Sequence, residues 1–127
     1  MGKMIKKIVF ALLLIGMIWP GPSMGYRDYY ADVILDTSGN PQPSAKVSVF
    51  LAGTSTPVAI YSSLIDTTPS YSVITRQDGT FSFYLDRLDY GTTQKFDFSV
   101  TKPGFMTMTK PNIDTSNPVL GTYPIST

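Results

Sequence analysis

Two short runs of alternating apolar and polar residues meet at Asp78-Gly79, and the stretch from Ser70 to Leu85 sets the pattern for the rest of the chain. On the incoming side Tyr71, Val73 and Thr75 alternate with Ser72, Ile74 and Arg76. On the outgoing side Phe81, Phe83 and Leu85 alternate with Thr80, Ser82 and Tyr84. A period of two is that of a half-buried strand, whose successive side chains point to opposite faces. Asp-Gly between two such runs predicts a β-hairpin, because glycine takes the positive φ that a tight turn needs. The alternation recurs along the chain. Tyr30 to Asp36 reads as a first strand, stopped by Thr37-Ser38-Gly39-Asn40-Pro41, where nearly every residue has turn chemistry. Ala45 to Leu51 is the cleanest strand, and Val58 to Ser62 a short one begun at Pro57, where no ladder donor is required. Lys95 to Thr101 and Phe105 to Thr109 follow, separated by the turn Lys102-Pro103-Gly104.

No window carries a sustained 3.6-residue period, and turn residues recur every ten or so positions. That spacing predicts an all-β fold, a seven-stranded antiparallel β-sandwich of Greek-key type. Its predicted core is Val47, Val49, Phe81, Phe83, Phe96, Phe98 and Val100. The expected layout is a leader over residues 1–25, the sandwich over 26–110 and an extended tail over 111–127. The tail is rich in proline, with Val119, Leu120 and Ile125 able to dock on the sheet.

The leader changes the picture of charge. Lys3, Lys6 and Lys7 precede an apolar run of twelve residues, Ile8 to Trp19, and Pro20-Gly21-Pro22 breaks it before the small residues Ser23 and Gly25. This is the layout of an export signal cleaved after Gly25. A retained anchor is the competing reading, but a membrane span takes roughly 18 or more apolar residues. A lipoprotein signal is excluded for want of a cysteine. Beyond Gly25, seven basic residues face nine Asp, 7 − 9 = −2. That balance offers no basic patch for nucleic acid, and membrane contact is expected only through the signal segment. The 127-residue sequence has no Cys, no His and no Glu. Disulfides, Cys/His zinc sites and His-based triads are thereby excluded. The expected setting is extracytoplasmic: secreted, periplasmic or at the cell surface.

The succession Gly39-Asn40-Pro41, Ala45-Lys46-Val47-Ser48-Val49, Thr75-Arg76-Gln77-Asp78-Gly79-Thr80-Phe81-Ser82-Phe83 and Val100-Thr101-Lys102-Pro103-Gly104-Phe105 resembles the carboxypeptidase regulatory-like domain. That family belongs to the transthyretin-like, or prealbumin-like, β-sandwiches. Gly53 to Ser62 is further similar to versions of the domain in phage and surface-appendage proteins. The resemblance covers Ala31 to about Phe105 and departs from the pattern at Thr92-Thr93-Gln94, which intervene between Tyr90-Gly91 and the next strand. It implies a fold and a role in binding or assembly, and brings no catalytic residues with it.

Candidate chemistry is sparse. Asp78-Gly79 lacks the acidic ladder of a Ca²⁺ loop and reads as a structural turn. Asp86 and Asp89, with Asp66 and Asp97, are acids without a pattern that selects a catalytic pair. Lys46, Asp97 and Asn112 are the residue types of a Lys–Asn crosslink, though their spacing does not select them. No catalytic, metal or cofactor site is expected. The interaction candidates are aromatic: Tyr26, Tyr29 and Tyr30 near the start of the sandwich, and Phe50, Tyr61 and Tyr84 on outward strand positions. Tyr gives large contact area at low entropy cost. Two functions follow as expectations. One is a structural or assembly subunit joined by strand addition, the segment Tyr26 to Val33 or the tail pairing with a neighbour's sheet edge. The other is a soluble recognition module for protein or glycan.

Overall fold

Alternation assigns residues to faces, and tertiary pairing assigns strands to sheets. The computed structural model describes residues 27–116 and 122–127. The leader, its cleavage position, Tyr26, Val119 and Leu120 lie outside the described residues. Seven strands are described: β1 (Arg27–Asp36), β2 (Lys46–Leu51), β3 (Ser72–Ile74), β4 (Thr80–Asp86), β5 (Phe96–Thr101), β6 (Met108–Ile113) and β7 (Thr122–Ile125). A single 3₁₀ turn, Arg87–Asp89, follows β4. They form a three-stranded sheet in the order β4-β1-β7 and a four-stranded sheet in the order β3-β2-β5-β6.

The two inner faces make one core. Tyr30 and Ile34 of β1, Phe81, Phe83 and Leu85 of β4, and Ile125 of β7 meet Val47 and Val49 of β2 and Phe96, Phe98 and Val100 of β5. All seven residues of the predicted core are buried. Phe98 inserts from the four-stranded sheet between rings of the other, edge-on to Tyr30 at 5.1 Å and to Phe83 at 5.7 Å between centroids. Such geometry places a positive ring edge against a negative ring face.

The pairing departs from the sequence reading in four places. First, β3 and β4 belong to different sheets, so Asp78-Gly79 is a corner across the core and not a hairpin turn. Gly79, at φ +79°, closes it by donating to the Arg76 carbonyl at 2.9 Å. Its own carbonyl accepts from Ile34 N at 2.8 Å, which ties the corner to β1. Second, β7 runs parallel to β1, Val33 opposite Thr122, so the sandwich is not wholly antiparallel. Third, Val58 to Ser62 forms no strand. Pro57, just before it, bridges to Phe50, Val58 N donates to the Val49 carbonyl and Tyr61 bridges to Tyr84, so the segment runs from one sheet to the other. Fourth, the boundary drawn at Lys110 falls inside β6, and Ile113 and Ile125 are buried. β6 tolerates Pro111 because it lies on a sheet edge, where the register shifts opposite Asp97 and Asn112 takes φ +58°.

Candidate functional site: an aromatic row on the three-stranded sheet

Residues directly opposed across neighbouring strands point to the same face. Tyr29 of β1 is opposed to Tyr84 of β4. Tyr84 is opposed in turn to Tyr61 by two short hydrogen bonds, Tyr61 N to Tyr84 O at 2.8 Å and Tyr84 N to Tyr61 O at 2.7 Å. The three tyrosines therefore make one row on the outer face of the three-stranded sheet. The rings of Tyr29 and Tyr84 lie 5.0 Å apart, tilted by 49°, and Tyr29 is 55% exposed.

Arg27 ends the row. Its guanidinium stands 3.9 Å over the Tyr61 ring centroid, a cation–π arrangement. Its Nη1 donates to the carbonyls of Ser63 at 2.8 Å, Leu64 at 3.2 Å and Asp66 at 2.8 Å. These bonds gather the 63–66 loop and leave Leu64 and Ile65 exposed at its tip. The Asp66 carboxylate accepts from Thr68 N and from the Ser62 hydroxyl and N–H, which hold its pKa below the ordinary value.

On the other side of Tyr29 lies an open groove of about 380 Å³, lined by Ala31, Asp32, Val33, Thr80 and Ser82 and by Arg76. Arg76 donates to Ser82 Oγ at 2.7 Å and Thr80 Oγ1 at 3.3 Å, which orients its guanidinium along the groove. Asp78 accepts from the Thr80 hydroxyl at 2.6 Å and its N–H at 3.1 Å, and these bonds lower its pKa. The site thus combines ring faces, a fixed guanidinium, small hydroxyls and one acid, Asp32, which is chemistry for recognition.

The remaining sequence candidates scatter. Tyr30 is 1% exposed and belongs to the core, since its position alternates with that of Tyr29; it offers no surface. Phe50 is half-buried on the outer face of the other sheet, paired with Asp97. Asp97 accepts from Gly53 N and Asn112 N, while Lys46 pairs with Thr101 at the far end of β2, so these three residue types do not converge. Asp86 caps the 3₁₀ turn by accepting from Leu88 N, and Asp89 is exposed. Among the described residues no group of three or more acids, His or Cys is placed to hold a metal ion.

Sequence reasoning missed Arg76, whose alternation marks only an outward position, and a buried network around Arg87. Arg87 Nε and Nη2 donate to Asp28 Oδ2 at 2.9 and 2.5 Å, and Nη2 also donates to Thr115 Oγ1 at 2.8 Å. Nη1 reaches the carbonyls of Gly91 at 2.9 Å and Gln94 at 3.2 Å. The one available signal was an Arg set between two Asp directly after a strand. Comparison with protein-family models gives no match, and comparison with curated proteins gives none either.

Proposed function

We propose that this chain is a non-catalytic, exported β-sandwich that works as a recognition module, binding a protein or glycan of the extracytoplasmic surface through the outer face of its three-stranded sheet. The observation that carries this reading is the exposed Tyr29 ring, set on Tyr84 and beside a groove walled by a guanidinium that its own neighbours hold in place. A rigid aromatic next to an oriented Arg is the residue pairing that dominates binding hot spots. A transthyretin-like sandwich of Greek-key topology, carried behind a cleaved leader, is the family we propose for it.

Assembly by strand addition has less support. The segment Tyr29 to Val33 is the inner strand of its own sheet, and β7 lies on β1. Each edge is short or obstructed: β4 by Tyr61 and Arg76, β3 by its three-residue length, β6 by Lys110, Pro111 and its irregular register, β7 by Pro124. Such devices keep edges from pairing.

The test is adhesion of the labelled protein to glycan arrays and to surface material of its own host. Tyr29→Ser and Arg76→Gln should each abolish adhesion, and Phe50→Ser, on the opposite sheet, should preserve it. Adhesion unaffected by Tyr29→Ser and Arg76→Gln would refute this site, and concentration-dependent oligomers in light scattering would favour assembly.

A further inference from the structure

The opposite sheet carries a second groove, which differs from the first in chemistry and shares no residue with it. It lies where β2 begins and β5 ends, has a volume of about 410 Å³, and is lined by Ser44, Lys46, Thr101, Lys102, Pro103, Phe105 and Thr107. The charged residues that line it are both lysines. Lys46 and Thr101 are directly opposed and so share the outer face.

Lys102 is held in place. Its Nζ donates to Gln42 Oε1 at 2.8 Å and lies 5.5 Å from the centroid of the Phe105 ring. Gln42 is itself nearly buried, and its amide donates to Asp36 Oδ2 at 3.2 Å and to the Asn40 carbonyl at 3.3 Å. Asp36, the acid behind Gln42, also accepts from the backbone of Asn40 and Ser38, and these bonds lower its pKa. A lysine side chain ordinarily keeps much of its rotamer freedom until a ligand orders it. Here part of that ordering is already in place.

The rim is fixed as well. Ser44 adopts φ +62°, a left-handed conformation uncommon for a residue other than glycine. Thr75 enforces it from below: its carbonyl accepts from Ser44 N at 3.1 Å, its hydroxyl accepts from Ala45 N at 2.9 Å, and that hydroxyl donates to the Gln42 carbonyl at 2.6 Å. Backbone held in a sparsely populated region by surrounding bonds is a feature of preorganised sites.

We infer that this groove binds the anionic group of an acidic saccharide, with Lys46 and Lys102 taking the charge and the Phe105 ring packing against the sugar's apolar face. Two lysines supply charge without a bidentate fork, so the groove selects for an anion and not for one planar geometry. The Ser44, Thr101 and Thr107 hydroxyls suit the polyhydroxyl body of the ligand.

The experiment titrates the full-length protein, by calorimetry at low and high salt, with three oligosaccharides of equal length: a uronate, a sulfated chain and a neutral chain. The uronate, the sulfated chain or both should bind and weaken at high salt, the neutral chain should not bind, and which acid binds identifies the anion as carboxylate or sulfate. Lys46→Gln and Lys102→Gln should each weaken binding by about tenfold. Lys95→Gln, which removes the same charge beyond the other end of β5, should leave it unchanged, as should Tyr29→Ser. Equal affinity for the neutral and acidic chains, no binding of any of the three, or equal losses from Lys95→Gln and Lys46→Gln, would overturn the inference.

Discussion

Replacing Arg87 by alanine should destabilise the sandwich by about 3 kcal/mol, the lower end of the range for removing one partner of a buried ion pair. The side chains of Arg87 and Asp28 are 9% and 20% exposed, so water replaces the lost guanidinium only partly at Asp28. The substitution also strands the Gly91 and Gln94 carbonyls and leaves the Thr115 hydroxyl only its bond to Asp28, in a network that joins β1, the turn after β4 and the segment after β6. If the pair behaved as a surface salt bridge, the loss would be about 0–1 kcal/mol, so the two accounts separate well beyond experimental error. Arg87→Lys should lose much of the same stability, because one ammonium cannot replace a fork that serves four acceptor groups. Urea denaturation read by far-ultraviolet circular dichroism is the assay, since the single tryptophan, Trp19, lies in the amino-terminal apolar run. A double-mutant cycle with Asp28→Ala should give a coupling above about 1 kcal/mol. An Arg87→Ala protein within about 1 kcal/mol of the parent would refute the claim that burial makes this pair structural.

Three further outcomes are expected. Phe83→Ala should cost about 3–5 kcal/mol in the same denaturation, the usual range for truncating a core aromatic; a midpoint equal to the parent's would reverse the assignment of the inward face. Gly79→Ala should cost more than the roughly 1–2 kcal/mol of a left-handed alanine, because its Cβ would meet Ile34 O at 2.7 Å and Gln42 N at 3.0 Å; the free energy of unfolding measures it. Stability should also fall at both ends of the pH range. Asp36, Asp66, Asp78 and Asp114 are held below their ordinary value of 3.8 by hydrogen bonds, so their contribution is full above that value and is lost as pH falls through the folded values. Tyr90 is raised above 10.0 by burial, so its neutral phenol contributes below that pH and the contribution is lost as pH rises through the folded value. Tyr90→Phe should flatten the alkaline limb of a melting-temperature profile, and an unchanged limb would assign it to other groups.

The sequence by itself determined which residues of a strand share a face and that the fold is all-β, while Tyr30, read as a surface candidate, lies in the core. Both follow from a local rule: side chains alternate along any strand, whatever lies beside it. The turn at Gly79 was legible for the same reason, since positive φ is a property of one residue. Tertiary structure decided which strand lies beside which. A period of two describes β3 and β4 equally well as a hairpin or as members of separate sheets, and it is the antiparallel ladder from Arg27 opposite Asp86 to Val33 opposite Thr80 that places the second run on β1. The aromatic row depends on the same choice. Tyr29, Tyr61 and Tyr84 are far apart in sequence, and they meet because β1 pairs with β4 and the 57–61 segment crosses between the sheets. Arg87 and Asp28, 59 residues apart, are brought together by that pairing and held by burial, an outcome set by neighbours that no local pattern encodes.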